Sequence, residues 1–302
     1  YQFHKTNKLY YPTLIESAVY SKNGYSYEIK NTGYDYATGQ LTEQEFSNSL
    51  GYTYKSVKTP AYHQYAELGS KVTDVNYANI IAPAWKEELY VILNGVEKRI
   101  GTSVNTWKKQ WDDALVWRKH ASYAWEGELE YNGIYKNYTD FVVGGSNSDW
   151  IAASEYTRFS DNSFPKETKT IGDHFACTQK DVFDYTIQAT VANAQLAEIS
   201  YSGGENNILV GATTYYDGGI TLANSSTCVT SAVSGTITPH TGSYLYEIPA
   251  NGTLKIETDA SMYQAIPENG KYMISLWQHE TGFGQANPPV VKVTFKNGTW
   301  GT

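Results

Sequence analysis

Three carboxylates stand at alternate positions in the stretch YAWEGELEYNG, as Glu126, Glu128 and Glu130. In an extended strand alternate side chains share a face, so neighbouring acids would lie about 7 Å apart along one surface. Trp125, Leu129 and Tyr131 would take the opposite face, with Gly127 leaving a gap in it. Two carboxyl groups flanking a glycosidic bond can cleave it. Retaining chemistry wants them about 5–5.5 Å apart and inverting chemistry about 6.5–9.5 Å. One acid would protonate the leaving oxygen, and the other would attack the sugar or activate water.

The acid-x-acid-x-acid pattern resembles the alternating acidic strand of some endo-glucanases with a β-jelly-roll fold. The resemblance spans five residues, and Glu128 stands where those enzymes carry an aspartate. It implies a catalytic role for Glu126, Glu128 and Glu130. A plain solvated strand face is the competing reading of the same residues.

A second group of residues lies in WQHETGFGQANPP. Trp277, His279, Glu280 and Phe283 would form the tip of a binding loop, with Trp125 as a further aromatic contact. Gln285, together with Gln278 and Asn287, offers amide groups that donate to and accept from sugar hydroxyls. His279 and Glu280 lack the second histidine of a zinc-protease helix, and no two histidines stand at metal-ligand spacing. No metal or cofactor is expected. No nucleophile elbow and no phosphate-binding loop is found in the sequence.

These groups must be positioned by strands. The chain has 302 residues, of which 41% are hydrophobic, 15% aromatic and 18% charged, with 27 Tyr and 8 Trp. Such a composition favours strands and stacking surfaces over disorder. Asn23-Gly24, Asn94-Gly95, Asn132-Gly133 and Asn251-Gly252 each sit between alternating arms and predict tight hairpin turns. The fold class expected is all-β, built of antiparallel sandwich or jelly-roll-like sheets with one or two short helices. The helices are expected at 41–50, from a capping-box spacing of Thr42 and Glu45, and at 106–119, where Trp107, Trp111 and Leu115 recur four apart. The predicted organisation is an aromatic-rich domain over 1–170 and a β-sandwich domain over 171–302.

Cys177 and Cys228 are the only cysteines and suit one structural disulfide inside the second domain. Closing that loop would stabilise by about 4 kcal/mol in the chain-entropy model. Asn137, Asn224, Asn251 and Asn297 each open a glycosylation triplet. With an opening residue other than Met, they point to a secreted or cell-surface protein. The net charge of -8 and the lack of a basic run exclude nucleic acid as a partner. No apolar run approaches the roughly 20 residues of a transmembrane helix.

The reading that joins these features is an extracellular protein that recognises a polysaccharide or cell-surface glycan through aromatic stacking and neutral polar contacts. The alternatives are a glycoside hydrolase or polysaccharide lyase, and a β-rich pore-forming toxin, adhesin or structural surface protein.

Overall fold

The computed structural model describes residues 14–111, 115–181, 185–205, 208–209, 215–217, 220–224, 227–230, 238–240, 242–247, 254–258 and 275–277. Two compact units are formed. The first runs to Thr178 and takes in Ala189–Leu196, and the second holds Gln179–Gln188 and the described residues from Ala197 onward.

The all-β expectation holds, with one large antiparallel sheet and only short helical turns. Its eleven strands are β1 (Ser17–Lys22), β2 (Tyr25–Tyr34), β3 (Leu41–Asn48), β4 (Thr53–Pro60), β5 (Ala84–Leu93), β6 (Val96–Gln110), β7 (Leu115–Trp125), β8 (Trp150–Phe159), β9 (Pro165–Thr170), β10 (His174–Lys180) and β11 (Ile187–Ala192). They lie side by side in chain order, a meander in which each strand pairs with its sequence neighbours. A four-residue helix, α1 (Ala61–Gln64), and a 3-10 turn (Ala66–Leu68) fill the β4–β5 connection.

The two-residue turns follow their sequence signal. Asn23 and Gly24 take φ of 55° and 79°, and Asn94 and Gly95 take 52° and 78°, the left-handed geometry that matches the twist of the flanking strands. The register then runs Lys22 opposite Tyr25 and Leu93 opposite Val96.

The two expected helices are strands. Residues 41–48 form β3, and 106–119 span the end of β6 and the start of β7. The every-fourth spacing of Trp107, Trp111 and Leu115 fits a helix, but Trp107 lies on β6, Trp111 just past its end and Leu115 at the start of β7, so the spacing runs across a hairpin rather than along one face. A bulge between Thr106 and Trp107 accommodates the crowded tryptophans. Trp111 caps that end of the hairpin, edge-on to Phe159 at 4.7 Å, and its Nε1 donates to the Lys108 carbonyl at 3.0 Å.

The main core lies where β6, β7 and β8 meet the irregular segment 126–149. Val104, Trp125, Phe141 and Trp150 are buried, with Trp85, Tyr123, Tyr135 and Tyr138 packed around them. Trp125 and Trp150 are directly paired across β7 and β8, with ring centroids 5.5 Å apart in an edge-to-face arrangement. Such contacts add about 0.5–1.5 kcal/mol per pair to the burial of the rings themselves.

In the second unit, β12 (Ile208–Leu209), β13 (Tyr215–Asp217), β14 (Ile220–Asn224) and β17 (Leu254–Thr258) form one sheet, and β15 (Thr227–Thr230) pairs with β16 (Tyr244–Glu247). The arms expected to form a hairpin about Asn251-Gly252 therefore pair with other strands, β17 with β14 and β16 with β15.

Among the described residues no disulfide is formed. Cys177 is a buried thiol on β10, 2% exposed, and belongs to the first unit rather than to the half that holds Cys228. Among the described residues no helix is long and apolar enough to cross a membrane.

Candidate functional site

The cross-strand register of β4 to β7 assembles a site from residues far apart in the chain. Ser56 lies opposite Leu89, and Leu89 opposite Gly101. One row along, Lys58 lies opposite Glu87, Glu87 opposite Ser103, and Ser103 opposite Ala124. Directly opposed residues share a face, so each row forms a line of adjacent side chains across the strands. Ser56, Gly101, Ser103 and Ala124 are small, and the rows sink to a hollow of about 440 Å³. Trp125, Tyr135 and Thr102 also line it.

Gly101 is central to this shape. A Cβ built there would meet only Leu89 Cβ at 3.6 Å and the Tyr135 hydroxyl at 3.9 Å, both ordinary contacts. The backbone would therefore accept a side chain, and that side chain would take up space in the hollow. Leu89 supplies an apolar surface, being 43% exposed. Lys58 Nζ and Glu87 Oε1 lie 3.7 Å apart, each about half exposed. Lys119 is close enough to Glu87 to feel its charge. Burial pushes the Lys119 ammonium below its ordinary value, and Glu87 partly offsets that.

Beside the hollow, Glu88 is buried and held by two cations. Arg99 Nη2 donates to its Oε1 at 2.7 Å, and Lys86 Nζ lies 3.4 Å from its Oε2. The Arg99 guanidinium lies 3.8 Å from the ring centroid of Tyr138. Burial pushes the Tyr138 phenol up to about 12, against the opposing pull of Arg99. The Tyr135 phenol, also raised by burial, donates to the Ile100 carbonyl at 3.1 Å and fixes its ring at the rim.

Glu126, Glu128 and Glu130 do not share a strand. β7 ends at Trp125, and only an isolated bridge between Leu129 and Tyr135 follows it. The alternation that would align the three carboxylates is therefore missing. Glu126 and Glu128 are exposed, and Glu128 faces Lys136 at 3.3 Å. Glu130 accepts from Asn132 Nδ2 at 2.9 Å and stabilises the turn at Gly133.

Trp125 is 6% exposed and serves the core, so its faces are not open for stacking on a ligand. Trp277 is 73% exposed, and the His240 ring stacks on it at 3.6 Å and 10°. His279, Glu280, Phe283 and Gln285 lie outside the described residues, as do the glycosylation triplets of Asn251 and Asn297. Asn137 is exposed in the 126–149 segment, and Asn224 ends β14. Among the described residues no group of three or more His, Cys, Asp or Glu is arranged to hold a metal ion.

The hollow was not found from sequence because its residues come from four strands and carry no local motif. The one local trace is IGTSV in the middle of a long strand, a run of small residues where packing usually demands larger ones. Comparison with known proteins finds no matching family, no similar curated protein and no similar solved structure.

Proposed function

We propose that this chain is a secreted or cell-surface protein that binds a short saccharide in the hollow across β4 to β7. The observation that carries the reading is the hollow itself. Its volume of about 440 Å³ lies within the roughly 300–1,000 Å³ of small-ligand sites. Its lining mixes an aromatic rim at Tyr135, the apolar Leu89, the hydroxyls of Ser56 and Ser103, and one ion pair. A sugar presents the same mixture, apolar C–H faces and hydroxyls that both donate and accept. Serine hydroxyls match that two-way requirement. The low charge content and the glycosylation triplets support an extracellular setting.

A glycan array tests the proposal, followed by calorimetry on the hits with the wild type and Gly101→Val. Saturable binding by the wild type and a loss of about tenfold or more in Gly101→Val is expected, because about 1.4 kcal/mol of lost contact corresponds to tenfold in affinity. Equal affinity in the two proteins, both folded, removes the hollow as the site. Release of reducing ends from a bound glycan would replace binding with hydrolysis as the activity.

A further inference from the structure

β1 forms one outer edge of the large sheet. No described strand pairs with that edge, and β1 lacks the usual protection of an edge. It has no proline, no bulge and no charge pointing inward, and Val19 and Tyr20 are 67% and 51% exposed.

Which backbone groups face outward follows from the pairing with β2. The Glu16 carbonyl accepts from Asn31 N–H at 2.8 Å, so Glu16 points its backbone groups toward β2. In an antiparallel ladder this alternates along the strand. Ala18, Tyr20 and Lys22 therefore also point inward, as the tight turn joining Lys22 to Tyr25 requires. Ser17, Val19 and Ser21 present their N–H and C=O groups to the outside.

We infer that two copies of this chain associate edge to edge through β1, antiparallel, about a two-fold axis at Val19. A two-fold axis needs one surface to complement itself. Centring it on Val19 places Val19 opposite the partner subunit's Val19, and Ser17 opposite the partner subunit's Ser21. These are the residues whose backbone groups face outward, so each pair exchanges two hydrogen bonds. The intervening pairs set Ala18 against the partner subunit's Tyr20 and Glu16 against the partner subunit's Lys22. Such non-hydrogen-bonded pairs bring side chains closest, about 4.5 Å between Cα atoms. Opposite charges thus meet at both ends of the interface.

The apolar side of the sheet continues across the same edge. Tyr20 stacks on Tyr27 at 4.9 Å and 17°, and Tyr27 packs on Phe46 at 5.3 Å. The row of rings ends at Tyr20, which is half exposed at the sheet edge. In the dimer Tyr20 gains the partner subunit's Ala18 as its missing neighbour.

Sedimentation equilibrium of the full chain over a wide concentration range tests this. The wild type is expected at twice the chain mass, dissociating on dilution. Val19→Pro removes an outward N–H that makes no bond within the sheet, a position where an edge strand tolerates proline. It should leave the circular dichroism unchanged and give a monomer. Lys22→Glu opposes like charges at both ends and should weaken the dimer by about tenfold, since like charges directly opposite destabilise by up to about 1 kcal/mol per pair. Adding Glu16→Lys to it should restore the affinity. A wild type that stays monomeric, a Val19→Pro protein that remains a dimer, or a double swap that fails to rescue overturns the proposal.

Discussion

Gly127 runs so close to Trp125 that a methyl group on its Cα would overlap the indole at Nε1 and Cε2. Trp125 is held in place by Trp150, Tyr138 and Tyr135, so its ring cannot step aside without disturbing the core. Gly127→Ala is therefore expected to destabilise by about 1–3 kcal/mol, the usual cost of overpacking. Urea denaturation followed by tryptophan fluorescence checks it. A neutral result would mean that the 126–149 segment shifts freely over the sheet.

The Arg99–Glu88 pair sets a second expectation. Glu88 is 8% exposed and depends on Arg99 and Lys86 for its charge balance. Arg99→Ala leaves the carboxylate with Lys86 as its only cation, beside the Tyr90 hydroxyl that donates to Oε1 at 3.2 Å, and removes the guanidinium from the Tyr138 ring. A loss of about 3 kcal/mol is expected, since breaking a buried pair by removing one partner strands the other. The double replacement Glu88→Leu with Arg99→Met should regain most of it, because it removes both desolvated charges together. If the double variant is as unstable as Arg99→Ala, the packing of Arg99 on Tyr138 matters more than the charge.

The β class and the turns at Asn23 and Asn94 are legible in the sequence because local chemistry decides them. Few residues other than Asn and Gly adopt a positive φ in succession, and the flanking alternation has only one period that fits. The segment at 106–119 imitates a helix because its spacing of four is counted across the connection between β6 and β7, a chain reversal that the pattern itself does not mark. At 126–130 the sequence alternates, but β7 ends at Trp125 and only the Leu129–Tyr135 bridge pairs beyond it, and a strand needs a partner as well as a pattern. The hollow depends on which residue lies opposite which, and that is set by the register of β4 to β7 together with a bulge at Leu89–Tyr90.

Asp35 ties the β2–β3 turn to α1 and should give the first unit a distinct acid limb. Its carboxylate accepts from Thr38 N at 2.8 Å, Thr38 Oγ1 at 2.6 Å and the Tyr62 hydroxyl. Burial pushes the carboxyl up, but the hydrogen bonds from Thr38 and Tyr62 outweigh it and hold Asp35 below its ordinary value. A depressed carboxyl stabilises the fold above the unfolded value of about 3.9, and that contribution is lost as pH falls through the lower folded value. Tyr62 has the opposite sign. Burial and the bond to Asp35 raise its phenol to about 12, so its contribution is complete below about 10 and is lost as pH climbs toward 12. Asp35→Asn should show a shallower fall in urea midpoint between about pH 4 and pH 2 than the wild type. Parallel acid limbs in the two proteins would remove Asp35 from this role.

Cys177 offers a test of the first unit that needs no ligand. Its thiol is 2% exposed on β10, where register pairs it with Glu167 on β9. Glu167 is itself buried and accepts from Thr157 Oγ1 and from the Leu196 backbone N–H, both at 2.5 Å. Opening this corner therefore breaks several buried hydrogen bonds together, and the thiol should react only when the unit opens. Alkylation of Cys177 in the native protein is expected to be slower than in urea by a factor that tracks local stability. Glu167→Ala should speed the native reaction, because it removes the acceptor of the Leu196 N–H at a cost of about 1–3 kcal/mol and leaves the Thr157 hydroxyl only its longer bond to the residue 167 carbonyl. Reductant should leave the melting temperature unchanged, since Cys177 is a thiol. A melting temperature that drops on reduction would show that Cys177 is oxidised in solution, and native alkylation as fast as in urea would show that β10 frays from β9.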